Sequence, residues 1–158
     1  MEGVKFEEIN KLKAETEEKY KRIGKFYCPA LKSEIFFNSD GFHHLRYDGH
    51  RSERNIVVQK NKFLCFESAV EILKKATTIQ EYRRAICPVG KCDKNGFRKT
   101  KIVEWFGFFA IISFSKCLRV KVVVRRVGQG QYNFWSVMPF WNLTRGRRVV
   151  GLKEIEDG

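Results

Sequence analysis

The clearest pattern in the chain is an alternation of apolar and charged positions over residues 119–138. Three valines at alternate positions share one side of a strand: Val120, Val122 and Val124. The opposite side carries cations and one further valine: Arg119, Lys121, Val123 and Arg125. The chain then passes through Gly128-Gln-Gly130, where glycine accepts the positive φ angles of a short turn, into a second run rich in aromatic residues. This pattern predicts a β-hairpin with one apolar and one basic face.

Apolar positions at three- and four-residue spacing predict helices earlier in the chain. One covers residues 3–23 and a second covers residues 62–76. The sequence Thr78-Ile-Gln-Glu81 has the form of a capping box, so a short third helix is expected over residues 78–84. Gly24 follows the first helix at the position of a C-terminal cap.

The segments between these helices have the composition of turns and loops. Residues 26–37 are expected to be irregular and to lead into a short strand at Glu34–Phe37. Asn38-Ser-Asp-Gly41 favours a turn, from which a loop is expected to continue to residue 54. Gly, Pro and many cations in residues 87–101 predict a basic loop.

The strongly apolar residues 102–115 predict a strand buried on both faces, and therefore central in its sheet. A turn over residues 115–118 connects it to the hairpin, and residues 149–155 are expected to add an edge strand. Helices followed by strands indicate a single α+β domain over residues 1–158, in which N-terminal helices pack on a C-terminal antiparallel sheet. Its parts are an N-terminal helix (1–25), a helical and loop part (26–101) and the sheet (102–151).

The net charge of +13, with an isoelectric point near 9.7, favours a polyanionic partner. Nucleic acid is the commonest such partner, because each phosphate that Lys or Arg neutralises releases condensed counterions. An anionic membrane surface, or simply a soluble basic protein, would give the same charge. The N-terminus lacks the features of a secretion signal and no apolar run approaches the roughly 20 residues of a membrane-spanning helix. A cytoplasmic protein that does not enter membranes is therefore expected.

The three histidines of the chain fall within eight positions, interleaved with arginines: His43, His44, Arg46, His50, Arg51 and Arg54. Histidine exchanges protons near neutral pH, and arginine holds negative charge. Together they suit cleavage of a phosphodiester, which needs a base for the 2′-hydroxyl, an acid for the leaving oxygen and a cation for the phosphate. A surface that only binds phosphate would have the same composition.

Five cysteines and no secretion signal predict reduced thiols. Cys87 and Cys92 are separated by four residues, which is looser than a zinc knuckle, and no second compact pair completes such a site. Free cysteines are favoured over zinc. The chain also has no P-loop and no dinucleotide-binding glycine pattern, so no metal and no cofactor are expected.

Three segments together resemble a superfamily of small nucleases that includes barnase, EndoU, the colicin tRNases and RelE-type toxins (the BECR superfamily), and in particular its phage- and mobile-element-associated branches. They are Phe42-His-His-Leu-Arg-Tyr-Asp-Gly-His50, Thr78-Ile-Gln-Glu-Tyr-Arg83, and residues 120–139, which contain Phe134-Trp-Ser-Val-Met-Pro139. The resemblance implies a barnase- or RelE-like fold and RNA cleavage without a metal. It also implies a toxin or mobile-element protein with a possible protein inhibitor of the antitoxin or immunity type.

The resemblance implies a role for particular residues. His44 is expected to be the general base or acid, with His43 as the alternative. Arg125 would clamp the scissile phosphate, and Ser136 would donate a hydrogen bond. Further substrate contacts are expected from seven side chains: Arg46, His50, Arg51, Lys121, Arg126, Tyr132 and Trp135. The barnase pattern has a glutamate in this hairpin, and none is present here.

A second hypothesis is a non-catalytic nucleic-acid-binding module. Tyr132, Phe134 and Trp135 would then stack on bases while the cations hold the backbone. A third is a structural or regulatory protein whose charge contacts an acidic partner. The nuclease hypothesis requires that the histidine cluster and the hairpin, some 75 residues apart in the chain, meet in space.

Overall fold

The computed structural model describes residues 2–48, 51–113 and 117–140. Its four helices are α1 (Glu2–Ile23), α2 (Ser39–Arg46), α3 (Ile56–Leu64) and α4 (Phe66–Lys75). Its six strands are β1 (Lys25–Cys28), β2 (Ser33–Phe36), β3 (Glu81–Val89), β4 (Lys99–Ser113), β5 (Cys117–Val127) and β6 (Tyr132–Phe140). The helices pack on a mostly antiparallel sheet, so the predicted α+β class is confirmed.

The strands lie in the order β1-β2-β6-β5-β4-β3, and only the pairing of β2 with β6 is parallel. The predicted hairpin is therefore β5 and β6, close to the middle of the sheet, with Gly128 at φ 55° in its turn. β2 pairs with β6 only at Tyr132 and Asn133. Beyond Asn133, helices α2 and α3 pack along the outer side of β6 in place of a strand.

The two faces of the sheet have different surroundings. The core face carries Val120, Val122 and Val124, which are fully buried. Helix α4 packs against β4 and β5. Tyr20 of α1 joins an aromatic cluster with Phe37, Phe42, Phe66 and Phe134. The opposite face, called here the Arg125 face, carries a smaller cluster around Val103, Trp105 and Val123. The alternation of β5 separates the two faces as predicted, but the second face is not a uniform row of solvated cations.

A β-bulge interrupts the pairing of β5 with β6. Val123 pairs with Ser136 and Val124 pairs with Phe134, so Trp135 is an extra residue without an opposite partner. Phe134 lies in the core, while Ser136 is opposite Val123 of the Arg125 face. In a regular strand, consecutive residues point to opposite faces. The bulge allows Trp135 and the next residue, Ser136, to lie on the same face, so Trp135 joins the Arg125-face cluster.

Helix α2 replaces the loop that was expected after the turn at residues 38–41. Asn38 is its N-cap: the side-chain oxygen accepts a hydrogen bond from the Gly41 amide at 3.1 Å. The Asn38 amide nitrogen also donates to Asn133 Oδ1 at 3.1 Å, which fixes the start of the helix to β6. A Cβ atom at Gly41 would overlap the carbonyl oxygen of Phe134, so glycine permits the close approach of α2.

Other predicted elements need correction. The prediction of a helix over residues 78–84 is wrong, because β3 occupies Glu81–Val89. Two helices replace the single helix expected over residues 62–76. The first, α3, begins at Ile56, and Cys65 separates it from α4. The basic loop is shorter than 87–101, since β3 ends at Val89 and β4 begins at Lys99. The first predicted helix and the strand near residues 34–37 are present with small shifts.

Strand β4 lies between β3 and β5, as expected for residues 102–115. Its middle is buried on both faces, at Trp105 and Phe106, whereas Ile111 is exposed. His50, part of the turn at residues 115–118 and the strand expected at residues 149–155 lie outside the described residues. Within the described ranges, no helix is both long and apolar enough to cross a membrane.

Candidate active site beside β6

The His/Arg segment and the hairpin meet at the indole ring of Trp135. The His44 ring stacks on it with 4.3 Å between the ring centres. The guanidinium carbon of Arg125 lies 4.3 Å from an indole ring centre. Residues from α2, β5 and β6 therefore share one contact point, and the bulge that frees Trp135 makes this possible.

His44 is buried in this stack, with only 5% of its surface exposed. Arg54 donates from Nε to the His44 carbonyl oxygen at 3.1 Å, and its Nη2 lies 3.4 Å from His44 Nε2. Arginine can only donate, so Nε2 is the accepting nitrogen and the imidazole is neutral with its proton on Nδ1. Burial, followed by the charges of Arg54, Lys62 and Arg125, lowers the His44 pKa to about 3. His44 is thus a neutral imidazole throughout the physiological range.

Arg125 is half-buried, and burial lowers its pKa from the ordinary value. Its Nε and the Nε1 of Trp135 are both buried without a hydrogen-bond partner among the described residues. Within the same ranges no carboxylate lies within ion-pair distance of Arg125, although the charges of Cys87 and Asp40 partly offset the lowering of its pKa. A buried N–H group without an acceptor is costly, so these two donors mark an unsatisfied polar place beneath the surface of the stack.

Lys62 of α3 reaches the same region from the outer side of β6. Its amine donates to Ser136 Oγ at 2.9 Å and to the Val137 carbonyl oxygen at 3.0 Å. Lys62 is 3% exposed, and burial, with the charge of Arg54, lowers its pKa to about 7. Lys62 thus satisfies a carbonyl on the part of β6 that has no strand neighbour on that side.

Ser136 is fully buried and holds the Lys62 amine. The expectation that Ser136 donates directly to a substrate is therefore not supported by its position: its hydroxyl is inside the protein. The predicted catalytic residues His44 and Arg125 do lie together, and Ser136 lies behind them as the support of Lys62.

Two predicted substrate cations are engaged elsewhere. Lys121 is fully buried and pairs with Glu81 at 2.7 Å, although it shares the Arg125 face. Arg126 lies on the other side of β5, where it donates to the Gly130 carbonyl oxygen at 3.0 Å and to Gln129 at 2.8 Å. Each of these two cations therefore has a partner within the protein, and a contact of either one with substrate stays a prediction.

Two predicted aromatic contacts also fall on the core face. Tyr132 packs edge-on against Phe106, with 5.4 Å between ring centres, and its hydroxyl accepts from Arg126. Phe134 is fully buried in the core. Of the three aromatic residues proposed to stack on bases, Trp135 alone lies on the Arg125 face.

The other members of the histidine cluster lie in α2 or shortly after it. His43 is exposed and stacks on Tyr47, with 4.3 Å between ring centres. Arg46 pairs with Glu53 at 3.6 Å, which ties the end of α2 to the following loop. Arg51 is exposed, and His50 is outside the described residues. These positions leave His43 and Arg51 accessible to a ligand, while Arg46 is partly used by the protein.

Arg54 and Lys62 were not assigned a role from the sequence. Arg54 was one of several cations in an expected loop, and nothing local distinguishes it. Lys62 did carry a signal: it lies three residues after Gln59 and next to Phe63, on the buried side of α3. A lysine at an inward-facing helical position indicates a buried amine with a specific partner.

Cys28, Cys65, Cys87 and Cys92 are free thiols. In the part of the chain that the structure describes, no three His, Cys, Asp or Glu side chains lie together as metal ligands would. Comparisons of the chain with protein-family models, with curated proteins and with solved structures gave no match. The resemblance to the BECR nucleases stays a prediction.

Proposed function

We propose that this protein is a metal-independent endoribonuclease of the BECR type, acting at the Trp135 stack. The observation that supports this most is the convergence of His44 and Arg125 on one indole ring, from segments some 80 residues apart. A packed core alone has no use for an arginine, a neutral histidine and unpaired N–H donors in one place. A phosphodiester group of RNA is the ligand that suits them.

Arg125 would bind the scissile phosphate. The guanidinium of the half-buried Arg125 would supply N–H donors that phosphate oxygens accept, whereas its Nε and the Trp135 Nε1 are buried and would join them only if the stack shifts. The positive charge of Arg54, and that of Lys62 while it is protonated, add to the field that favours an anion here. Both the bound phosphate and the charge that develops during cleavage would be stabilised by the same groups.

His44 would accept the proton of the RNA 2′-hydroxyl. A phosphate bound nearby would compete for the Arg54 guanidinium, free the Nε2 lone pair and offset the cations that lower the His44 pKa. The 2′-oxygen then attacks phosphorus while the bond from phosphorus to the 5′-oxygen breaks. The products are a 2′,3′-cyclic phosphate and a 5′-hydroxyl. The proton for the leaving oxygen would come from His43, which is exposed on the same helix.

A second candidate is a binding module that holds RNA without cutting it. The burial of His44, and the contact of its basic nitrogen with Arg54, favour this alternative. In that case His44 only supports Trp135 and Arg125. Both candidates place the RNA phosphate at Arg125, and they differ in whether His44 exchanges a proton.

The test is incubation of the protein with single-stranded RNA in EDTA, with analysis of product ends. We expect fragments ending in 2′,3′-cyclic phosphate, and a loss of cleavage with retained binding in His44→Gln. Arg125→Met should lose both. Arg84→Met is the matched control, since Arg84 is an exposed arginine of β3 on the core-face side. Intact RNA with tight, salt-dependent binding would establish the second candidate instead.

A further inference from the structure

The β3–β4 hairpin extends past the rest of the sheet as an arm, residues 87–101. β5 pairs with β4 only from Val103 onwards, whereas β3 and β4 remain paired out to Val89 and Lys99. At about 3.3 Å per residue, Lys99 lies roughly 20 Å along β4 from Trp105, which is opposite Arg125. The arm therefore begins near the candidate site and ends well away from it.

The tip of the arm is held by its own hydrogen bonds. One carboxylate oxygen of Asp93 accepts from the amides of Asn95 at 2.8 Å and Phe97 at 2.9 Å. The Asp93 amide donates to the Phe97 carbonyl oxygen at 2.8 Å, and Arg98 Nε donates to the Gly90 carbonyl oxygen at 3.0 Å. Gly90 has a φ of 74° and starts the turn. The tip is thus a preformed structure.

The arm carries five cations and one carboxylate. The cations are exposed: Lys91, Lys94, Arg98, Lys99 and Lys101. The carboxylate, Asp93, is directed into the loop backbone. Phe97 stands among these cations with 72% of its surface exposed. An aromatic ring presented to solvent by an ordered, basic loop has no packing role within the described residues.

The cations of the arm continue the Arg125 face. By strand alternation, Lys99 and Lys101 share the side of β4 that carries Val103 and Trp105. Arg83 is the residue of β3 opposite Trp105, with its guanidinium carbon 4.8 Å from a Trp105 ring centre, so it adds a cation to this face at the level of Arg125. Positive groups therefore occur on one face at the level of Arg125 and Arg83 and again about 13 Å further along β4 at Lys101, an interval that a short stretch of single-stranded phosphate backbone can span.

We propose that this arm is a second binding element for single-stranded RNA, holding the strand that leads away from the Arg125 site. Its lysines contact the phosphates, and Phe97 stacks on a base. This assignment rests on the proposed function for its substrate class. Cations interleaved with an exposed aromatic ring are the arrangement by which proteins bind single strands without reading sequence. An acidic protein surface would use the cations but gain little from a stacked ring.

The arm is tested by binding of 2′-O-methyl RNA, which has no free 2′-hydroxyl and is bound without being cut. Fluorescence anisotropy with an oligonucleotide of about 12 nucleotides allows both elements to be engaged. Lys94→Ala/Lys99→Ala removes two arm cations, and Lys11→Ala/Lys60→Ala removes two exposed lysines from helices α1 and α3 at equal net charge. Phe97→Ala removes the ring.

We expect the arm double variant to reduce the slope of log affinity against log salt by about 1.4, and the control to leave it unchanged. Phe97→Ala should weaken binding at least fivefold at all salt concentrations. A dinucleotide, too short to reach the arm, should bind all variants equally. These results would support the arm even if no RNA is ever cleaved.

Three results would overturn the assignment. The first is equal binding by the arm variant and its control. The second is unchanged affinity in Phe97→Ala together with competition by polyglutamate as effective as that by RNA, which would mark the arm as a site for an acidic protein. The third is an equal loss with the dinucleotide, which would show that the variants act on the Arg125 site. None of these measurements depends on cleavage. A failure of the nuclease proposal can therefore be distinguished from a failure of the arm proposal.

Discussion

Lys121 and Arg125 lie four residues apart on one face of one strand, yet their surroundings differ. Lys121 is fully buried and pairs at 2.7 Å with Glu81, whose strand lies two positions away in the sheet. Gly107 of β4 lies between them, and a Cβ atom there would come within 3.0 Å of the Glu81 side chain. Arg125 instead stacks on Trp135 and has no carboxylate partner in the described chain.

The difference teaches that strand alternation assigns a cation to a face but does not assign it a role. The neighbouring strands decide the role: a glycine and a glutamate make Lys121 structural, whereas two tryptophans leave Arg125 available. A buried ion pair and an unpaired cation also respond oppositely to mutation, because one contributes to folding and the other to binding.

The largest effect on stability is expected from Glu81→Gln. This change leaves the buried ammonium of Lys121 without its carboxylate and should lower the free energy of unfolding by roughly 3–5 kcal/mol, measured in urea. RNA binding by the folded protein should persist. Glu71→Gln, which breaks the exposed pair with Lys75, is the control and should cost less than about 1 kcal/mol. Equal losses in the two variants would remove the distinction between Lys121 and a surface cation.

Arg125→Met should show the opposite profile. RNA cleavage should fall by about 10²–10³-fold, because a donor to the phosphate is lost. Unfolding should change by only about 1 kcal/mol, the value of the arginine–tryptophan contact. Parallel kinetic and urea measurements on Arg125→Met and Arg84→Met separate the two effects. A large loss of stability without loss of cleavage would make Arg125 a structural residue like Lys121.

His44 should make stability depend on pH in the acid range. Its pKa is about 3 in the folded protein against 6.5 in an unfolded chain, so the unfolded state binds the proton first. The free energy of unfolding should fall as the pH decreases from 6.5 towards 3, by about 2.3 kcal/mol between pH 6.5 and 4.5. His44→Gln should lose this slope, and His43→Gln should keep it. An unchanged slope in His44→Gln would show that His44 is not buried among cations.

Lys62 should give the corresponding dependence in the alkaline range. Its folded pKa of about 7 lies below the ordinary 10.5, so the unfolded state again holds more protons. Stability should rise with pH, by about 2 kcal/mol between pH 7.5 and 9. Lys62→Met should abolish this rise, whereas Lys60→Met, an exposed neighbour on the same helix, should not. A rise retained in Lys62→Met would place the titrating group elsewhere.

Local patterns in the sequence predicted the parts of the fold that depend on local physics. The alternation in residues 119–138 and the glycines at 128 and 130 identified the hairpin, and the long apolar run identified β4. Thr78 to Glu81 was misassigned because a capping box is a local motif. In the structure Glu81 serves a distant lysine, and no local rule contains that partner.

The candidate site was predictable only in part. His44 and Arg125 were chosen for their chemistry, and the structure brings them together. Other features depend on pairing register and on contacts between distant elements. They are the ion pair of Lys121 with Glu81, the hydrogen bond of Ser136 with Lys62 and the face of β6 on which Trp135 lies. The N-cap role of Asn38, which converts an expected loop into α2, was visible in the sequence but was read as a turn.

The bulge in β6 makes the spacing of residues, rather than their identity alone, a requirement of the site. Val137 returns to the core three positions after Phe134, an odd interval that strict alternation would not allow. Deleting Trp135 would restore simple pairing with β5, keep both core side chains inward and remove the indole from the Arg125 face. The hairpin would still fold, but His44 and Arg125 would lose the ring that they share. In this strand one additional residue separates a scaffold from a candidate catalytic surface.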